Sequence, residues 1–228
     1  MSFDVLDEHE QGELVQKWLR ENALSIAIGV ALGLLLIFGW QQWKVHRVRH
    51  TAEAAAQYQA LTDAIAAKHE DEAGKIAGAL RKDFPDSAYA VFAAMHQADA
   101  AVARNDLAAA ASALEWAVPH AGVAGLKSLV SLRLARVKLA QGDADGAIKL
   151  LDALPKDVYA ALASEIRGDA QVKLGHADAA RSAYEEAIAH LDPQAPSRSF
   201  VQMKLDDLAA AAPAPPPAVA PVKEKVGS

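Results

Sequence analysis

The sequence contains no cysteine. That excludes a disulfide framework and thiolate chemistry, and it fits an oxidising compartment as well as a reducing one. A basic surplus is missing too: 23 Lys and Arg stand against 29 Asp and Glu, a formal net charge of -6. Nucleic acids select a cationic footprint, so DNA and RNA are poor partners. No G-x-S-x-G, H-E-x-x-H, Walker loop or G-x-G-x-x-G occurs, which leaves the usual nucleophile, zinc and phosphate geometries without a local signature. His46 and His50 are spaced i, i+4 but lie among Lys44, Arg47 and Arg49, whose charge disfavours a divalent metal. A solvated stripe facing lipid headgroups is the better reading. Glu70, Asp71 and Glu72, like Asp143 and Asp178, read as helix caps or first-turn acids. Trp116 and Tyr184 read as fillers between helices. We expect no enzyme, no cofactor and no metal.

Charge is also absent from Ala23 through Trp40, where the hydroxyl of Ser25 is the sole polar side chain of note. A helix rises about 1.5 Å per residue, so about 20 apolar residues cross the roughly 30 Å of hydrocarbon. Residues 23–43 supply that length, and Trp18, Trp40 and Trp43 sit at its ends, where indoles favour the interface. A cleaved export signal needs a basic front and small residues at the cut. This chain offers Asp4, Asp7, Glu8, Glu10 and Glu13 in front and Phe38-Gly39-Trp40 behind. A buried hairpin of a soluble fold is the competing reading, and the length of the run speaks against it. Ser25, Gly29 and Gly33 recur every four residues, a small-residue stripe on which a second membrane helix can pack closely.

The remainder is punctuated like a repeat. Pro85, Pro119, Pro155 and Pro193 recur at intervals of 34, 36 and 38, and between them fall Asn105-Asp106, Gly142-Asp143 and Gly175-His176. Two breaks per period make each period a helical hairpin. The periodicity between breaks is helical: Leu129, Leu132, Leu134, Val137 and Leu139 fall toward one side, with Arg133, Arg136 and Lys138 left to water. Hairpins are expected near 51–85, 86–119, 123–155 and 157–193, with a closing helix near 197–211. A period of about 34 residues is that of tetratricopeptide repeats, whose paired helices stack into a superhelix with a concave face. Small residues such as Ala135, Ala147, Gly168 and Ala180 stand where the two helices of a repeat meet. The large aromatic expected early in each repeat is missing, so the repeats are degenerate.

The predicted fold is therefore all-α: one N-terminal transmembrane helix, then a tetratricopeptide-like α-solenoid of about four hairpins with a closing helix. Residues 1–22 form a short cytoplasmic segment, 23–43 the span, 44–50 a basic juxtamembrane segment and 51–211 the repeat domain. Residues 212–228, rich in Ala and Pro, cannot build a core and read as a disordered tail. Docking of Pro215 to Pro217 in an aromatic groove of a partner is the alternative.

Four stretches carry a resemblance: "VQKWLRENALSIAIGVALGLLLIFGWQQW", "LRLARVKLAQGDADGAIKLLD", "EIRGDAQVKLGHADAARSAYEEAI" and "VQMKLDDLA". In this order they resemble the ancillary subunits of the SecYEG translocon, the YfgM-like proteins, over most of the chain up to Ala210. The resemblance implies a single-pass bacterial inner-membrane protein with its repeat domain in the periplasm and no catalytic residues. Implied partners are the SecYEG translocon, a membrane-anchored periplasmic chaperone of the peptidyl-prolyl isomerase class, and unfolded secreted proteins awaiting hand-over. Flanking charge votes the other way, with Lys17 and Arg20 before the span and Lys44, Arg47 and Arg49 after it. Long domains translocate largely regardless of such flanks. The glycine stripe and the Ala-rich surface allow a homodimer. Two other functions compete: an anchored scaffold for cell-wall synthesis or division, and an envelope hydrolase with scattered Asp, Glu and His.

Overall fold

The computed structural model describes residues 8–211, so the Ala/Pro-rich tail from 212 and the first seven residues lie outside it. Among the described residues there are nine α-helices and no strand: α1 (Glu8–Ala66), α2 (Glu70–Asp83), α3 (Ala88–Ala103), α4 (Leu107–His120), α5 (Ala124–Ala140), α6 (Ala144–Asp152), α7 (Ala160–Lys173), α8 (Ala177–Ala189) and α9 (Pro196–Ala211). The all-α fold expected from the sequence is the one observed. The described chain forms two units, one through Ala56 and one from Gln57 onward.

The helix α1 runs without a break through position 51, where the first hairpin was expected to begin. The reason is local. No glycine or proline occurs between Gly39 and Gly74, and alanine is abundant from Ala52 to Ala67. The first repeat helix is thus the C-terminal part of α1, and what ends it is Lys68 in the left-handed conformation.

Four hairpin turns are built alike. Lys68, Asn105, Gly142 and Gly175 all take positive φ. In each turn the next N–H reaches back five residues to a helix carbonyl: His69 to Ala64 at 2.9 Å, Asp106 to Ala101 at 2.8 Å, Asp143 to Lys138 at 2.9 Å and His176 to Gln171 at 2.9 Å. This satisfies a carbonyl that the helix end would otherwise leave unpaired. Two of the turns also cap the following helix, since Asp106 accepts from the Ala109 N–H at 2.9 Å and Asp143 from the Gly146 N–H at 2.8 Å.

Between hairpins the prolines act as punctuation with one variation. Pro85, Pro155 and Pro193 fall outside helices, whereas Pro119 lies in the last turn of α4. A proline there removes one hydrogen bond where the helix is ending anyway. Pro196 opens α9, a position where its missing N–H costs nothing.

The core is assembled from alanine with a few large side chains. Leu61, Leu80, Leu114, Leu132 and Ile166 are fully buried, surrounded by Ala90, Ala94, Ala110, Ala135, Ala147 and Ala170. Small side chains let helix axes approach toward the lower end of the roughly 8–10 Å packing range. The helix α5 differs from expectation. It is buried on two sides, with Val130, Leu134 and Val137 packed among α3 and α4 residues and Leu132, Ala135 and Leu139 among those of α6 and α7. A helix in the middle of a stack has two neighbours to satisfy, so a one-sided apolar pattern is not to be expected of it. Arg133 is accordingly half-buried, and its Nη1 donates to both Asp99 carboxylate oxygens at 2.9 and 3.1 Å.

Candidate functional site

Three places carry the residues of functional interest, and the first is α1. Within residues 27–66 it holds a stretch of 18 residues apolar enough to cross a membrane, and none of that stretch is buried by the protein. Leu34, Leu35, Leu36 and Phe38 are each more than 60% exposed, at 62%, 67%, 75% and 64%. So contiguous an apolar surface is stable in lipid rather than in water. The chain is a membrane-anchored protein.

Trp18, Trp40 and Trp43 are exposed, the latter two with ring centroids 5.3 Å apart. The Arg47 guanidinium sits 5.2 Å from the Trp43 ring, a cation over a π face. Nothing lies within 4 Å of a side chain added at Gly29 or Gly33, and Ser25 is exposed. His46 and His50 stack with centroids 6.2 Å apart. Among the described residues no three His, Asp or Glu come together as metal ligands would.

The second place is a polar cluster that fastens α9 to α7. Lys204 Nζ donates to Glu165 at 2.8 Å and to both Asp169 oxygens at 2.8 and 2.9 Å, while the Tyr184 hydroxyl donates to Asp169 at 2.7 Å. Burial works against the Lys204 charge, but the hydrogen bonds and charges of Asp169 and Glu165 outweigh it and hold its pKa above the usual value. Burial first, then the bond to Asp169, pushes the Tyr184 phenol well up. Tyr184 can enter because position 168 is glycine: a side chain there would overlap its ring.

The third place is a groove of about 740 Å³ in the repeat domain, lined by the end of α1, by α2 and α3, and by α4. Leu61, Ala77, Ala101 and Ala113 form its buried apolar lining. Its charged lining residues are Lys68, Arg81, Arg104, Glu70 and Asp99. Glu70 belongs to the acidic first turn of α2, as expected from the dipole argument. Neither the groove nor the Lys204 cluster was foreseen from the sequence. Their members lie on helices far apart in the chain, and no spacing rule connects Arg81 to Arg104 or Lys204 to Glu165.

Comparison with known proteins bears on the whole of this arrangement. The family model for a tetratricopeptide repeat-like domain matches residues 16–210, which takes in both the anchor and the repeats. The ancillary SecYEG translocon subunit of Escherichia coli K12 is 31% identical over 203 residues, 89% of this chain and 97% of that protein. The chain belongs to this ancillary subunit family. The Haemophilus influenzae Rd member is 32% identical over 189 residues, 82% of this chain and 91% of its own length. The member from Aggregatibacter actinomycetemcomitans is 24% identical over 204 residues, 90% and 98% of the two chains. Each of these matches takes in most of both chains.

Proposed function

We propose that the chain is a non-enzymatic accessory of the Sec translocon, held in the bacterial inner membrane by α1 with its repeat domain on the periplasmic side. The similarity to the E. coli ancillary subunit over 97% of that protein's length carries this reading. It includes the anchor as well as the repeats, and the anchor is what would bring the domain to a translocon. In this reading residues 23–43 span the bilayer, Trp18, Trp40 and Trp43 hold its ends at the interface, and residues 44–50 meet the headgroups. Ser25, Gly29 and Gly33 form the face against which a translocon helix or a second copy packs, since small residues permit close backbone approach in lipid.

The repeat domain is the binding element. It receives a membrane-anchored chaperone of the peptidyl-prolyl isomerase class, or emerging secreted proteins themselves, and assists their hand-over. Confinement to the membrane raises its effective concentration near the channel exit, so that weak individual contacts suffice. Recovery of SecYEG with the tagged full-length chain in mild detergent is the expected result; absence of translocon subunits under conditions that keep SecYEG intact would contradict the proposal. Replacing Gly29 and Gly33 by leucine should weaken that recovery while leaving the repeat domain folded.

A further inference from the structure

Arg81 stands in the last turn of α2, where a cation complements the helix dipole. It is fixed on two sides. Its Nη1 donates to Gln97 Oε1 at 2.7 Å, and its Cζ lies 4.5 Å from the centroid of the Trp116 ring, which in turn stacks on His120 at 4.0 Å. No carboxylate among the described residues pairs with it, and its buried Nε has no hydrogen-bond partner. Burial lowers its pKa, but a guanidinium stays protonated at every physiological pH. A partly desolvated cation held without a counter-ion is costly to a fold, and an incoming carboxylate would offset that cost.

The surroundings select the same sign of charge. Of the charged residues lining the groove, Asp99 is already engaged by Arg133 at 2.9 Å. Lys68, Arg81 and Arg104 then face Glu70 alone. Much of the remaining lining is apolar, with Leu61, Ile65 and several alanines offering a surface for aliphatic side chains beside the polar His96, Gln97 and Ser112. A volume of about 740 Å³ lies within the ~300–1,000 Å³ of ordinary ligand sites.

We propose that this groove binds an acidic segment of a partner protein, taking a carboxylate on Arg81 and the flanking aliphatic side chains on the alanine-lined floor. This rests on the reading of the repeat domain as the binding element and says which chemistry it accepts. Preorganisation by Trp116 and Gln97 means that little side-chain freedom is lost when the carboxylate arrives.

The test uses the full chain in detergent micelles and two fluorescent nine-residue peptides, one alternating leucine with glutamate and the other leucine with glutamine. By anisotropy the glutamate peptide should bind at least about tenfold more tightly, as a charge-assisted contact in a half-buried site implies. Arg81→Gln should erase that difference. Ala109→Trp, which fills the groove from an exposed position, should weaken both peptides and guards against a folding defect in the first variant. Equal affinity of the two peptides for the unaltered chain, or a glutamate preference that survives Arg81→Gln, overturns the inference. So does a dimer that Ala109→Trp converts to monomer in sedimentation, because a second copy would then be the occupant. SecYEG recovery is measured on the same samples: intact recovery without peptide discrimination sinks this inference alone, whereas failed recovery by the unaltered chain sinks the reading beneath it.

Discussion

Leu34 and Leu132 are the same side chain on two helices of one chain, yet the first is 62% exposed and the second 1%. The contrast holds between their regions. In the N-terminal apolar part of α1 the large apolar groups point outward and the glycines have nothing near them, because the solvent to be met there is hydrocarbon. In the repeats the large groups are few and mostly interior, alanine fills the helix contacts, and Gly168 is covered by an aromatic ring that a side chain there would overlap. An apolar residue therefore means opposite things in the two regions: in the N-terminal part of α1 it faces lipid, and in the repeats it holds helices together.

The strongest way to break this contrast is to make one substitution in both places. Leu132→Ala should cost the repeat domain about 2–5 kcal/mol in urea unfolding of the detergent-solubilised chain, and Leu34→Ala should leave that transition where it was. Glycine offers a second comparison. Gly168→Ala forces a methyl group into the Tyr184 ring and should cost about 1–3 kcal/mol, while Gly33→Ala, with open space around it, should leave domain stability unchanged.

The Lys204 cluster sharpens the comparison by pH. Lys204 and Tyr184 both have folded-state pKa values above their ordinary 10.5 and 10.0. A raised pKa means that the folded state holds the proton more tightly than the unfolded one. Their contribution is thus complete below about pH 10 and is lost as pH rises through the folded values. Unfolding midpoints should fall above pH 10, and Lys204→Met should flatten that fall at a cost of about 1–2 kcal/mol at neutral pH. Smaller still is the cap: Asp143→Ala should cost about 1 kcal/mol, read as a lower melting temperature. Arg133→Gln, which removes a partly exposed pair with Asp99, should cost no more than about 1 kcal/mol.

Much of the architecture could be read from residues whose physical roles are local. Prolines and left-handed turn residues marked nearly every helix end, since Asn105, Gly142 and Gly175 do take positive φ. Ala135, Ala147, Gly168 and Ala180, singled out as contact residues, are buried. Lys68 and Tyr159 escaped notice because neither residue type signals the left-handed conformation that both adopt. The two-sided burial of α5 was hidden because Arg133 and Lys138 interrupt its apolar pattern while forming ion pairs with Asp99 and Glu115. The groove around Arg81 was invisible for a different reason. It depends on Trp116 and Gln97 arriving from α4 and α3, and nothing in the order of residues announces that meeting.

The central claim is that a membrane anchor displays the repeat domain in the periplasm, and the lack of native cysteine makes it directly testable. Glu185→Cys on an exposed part of α8 and Lys17→Cys ahead of the span, in separate variants, are treated in intact cells with a maleimide that cannot cross the inner membrane. Labelling of Glu185→Cys but not of Lys17→Cys is the predicted result. Labelling of Lys17→Cys alone would place the repeat domain in the cytoplasm, as the flanking charges favour, and would contradict the account.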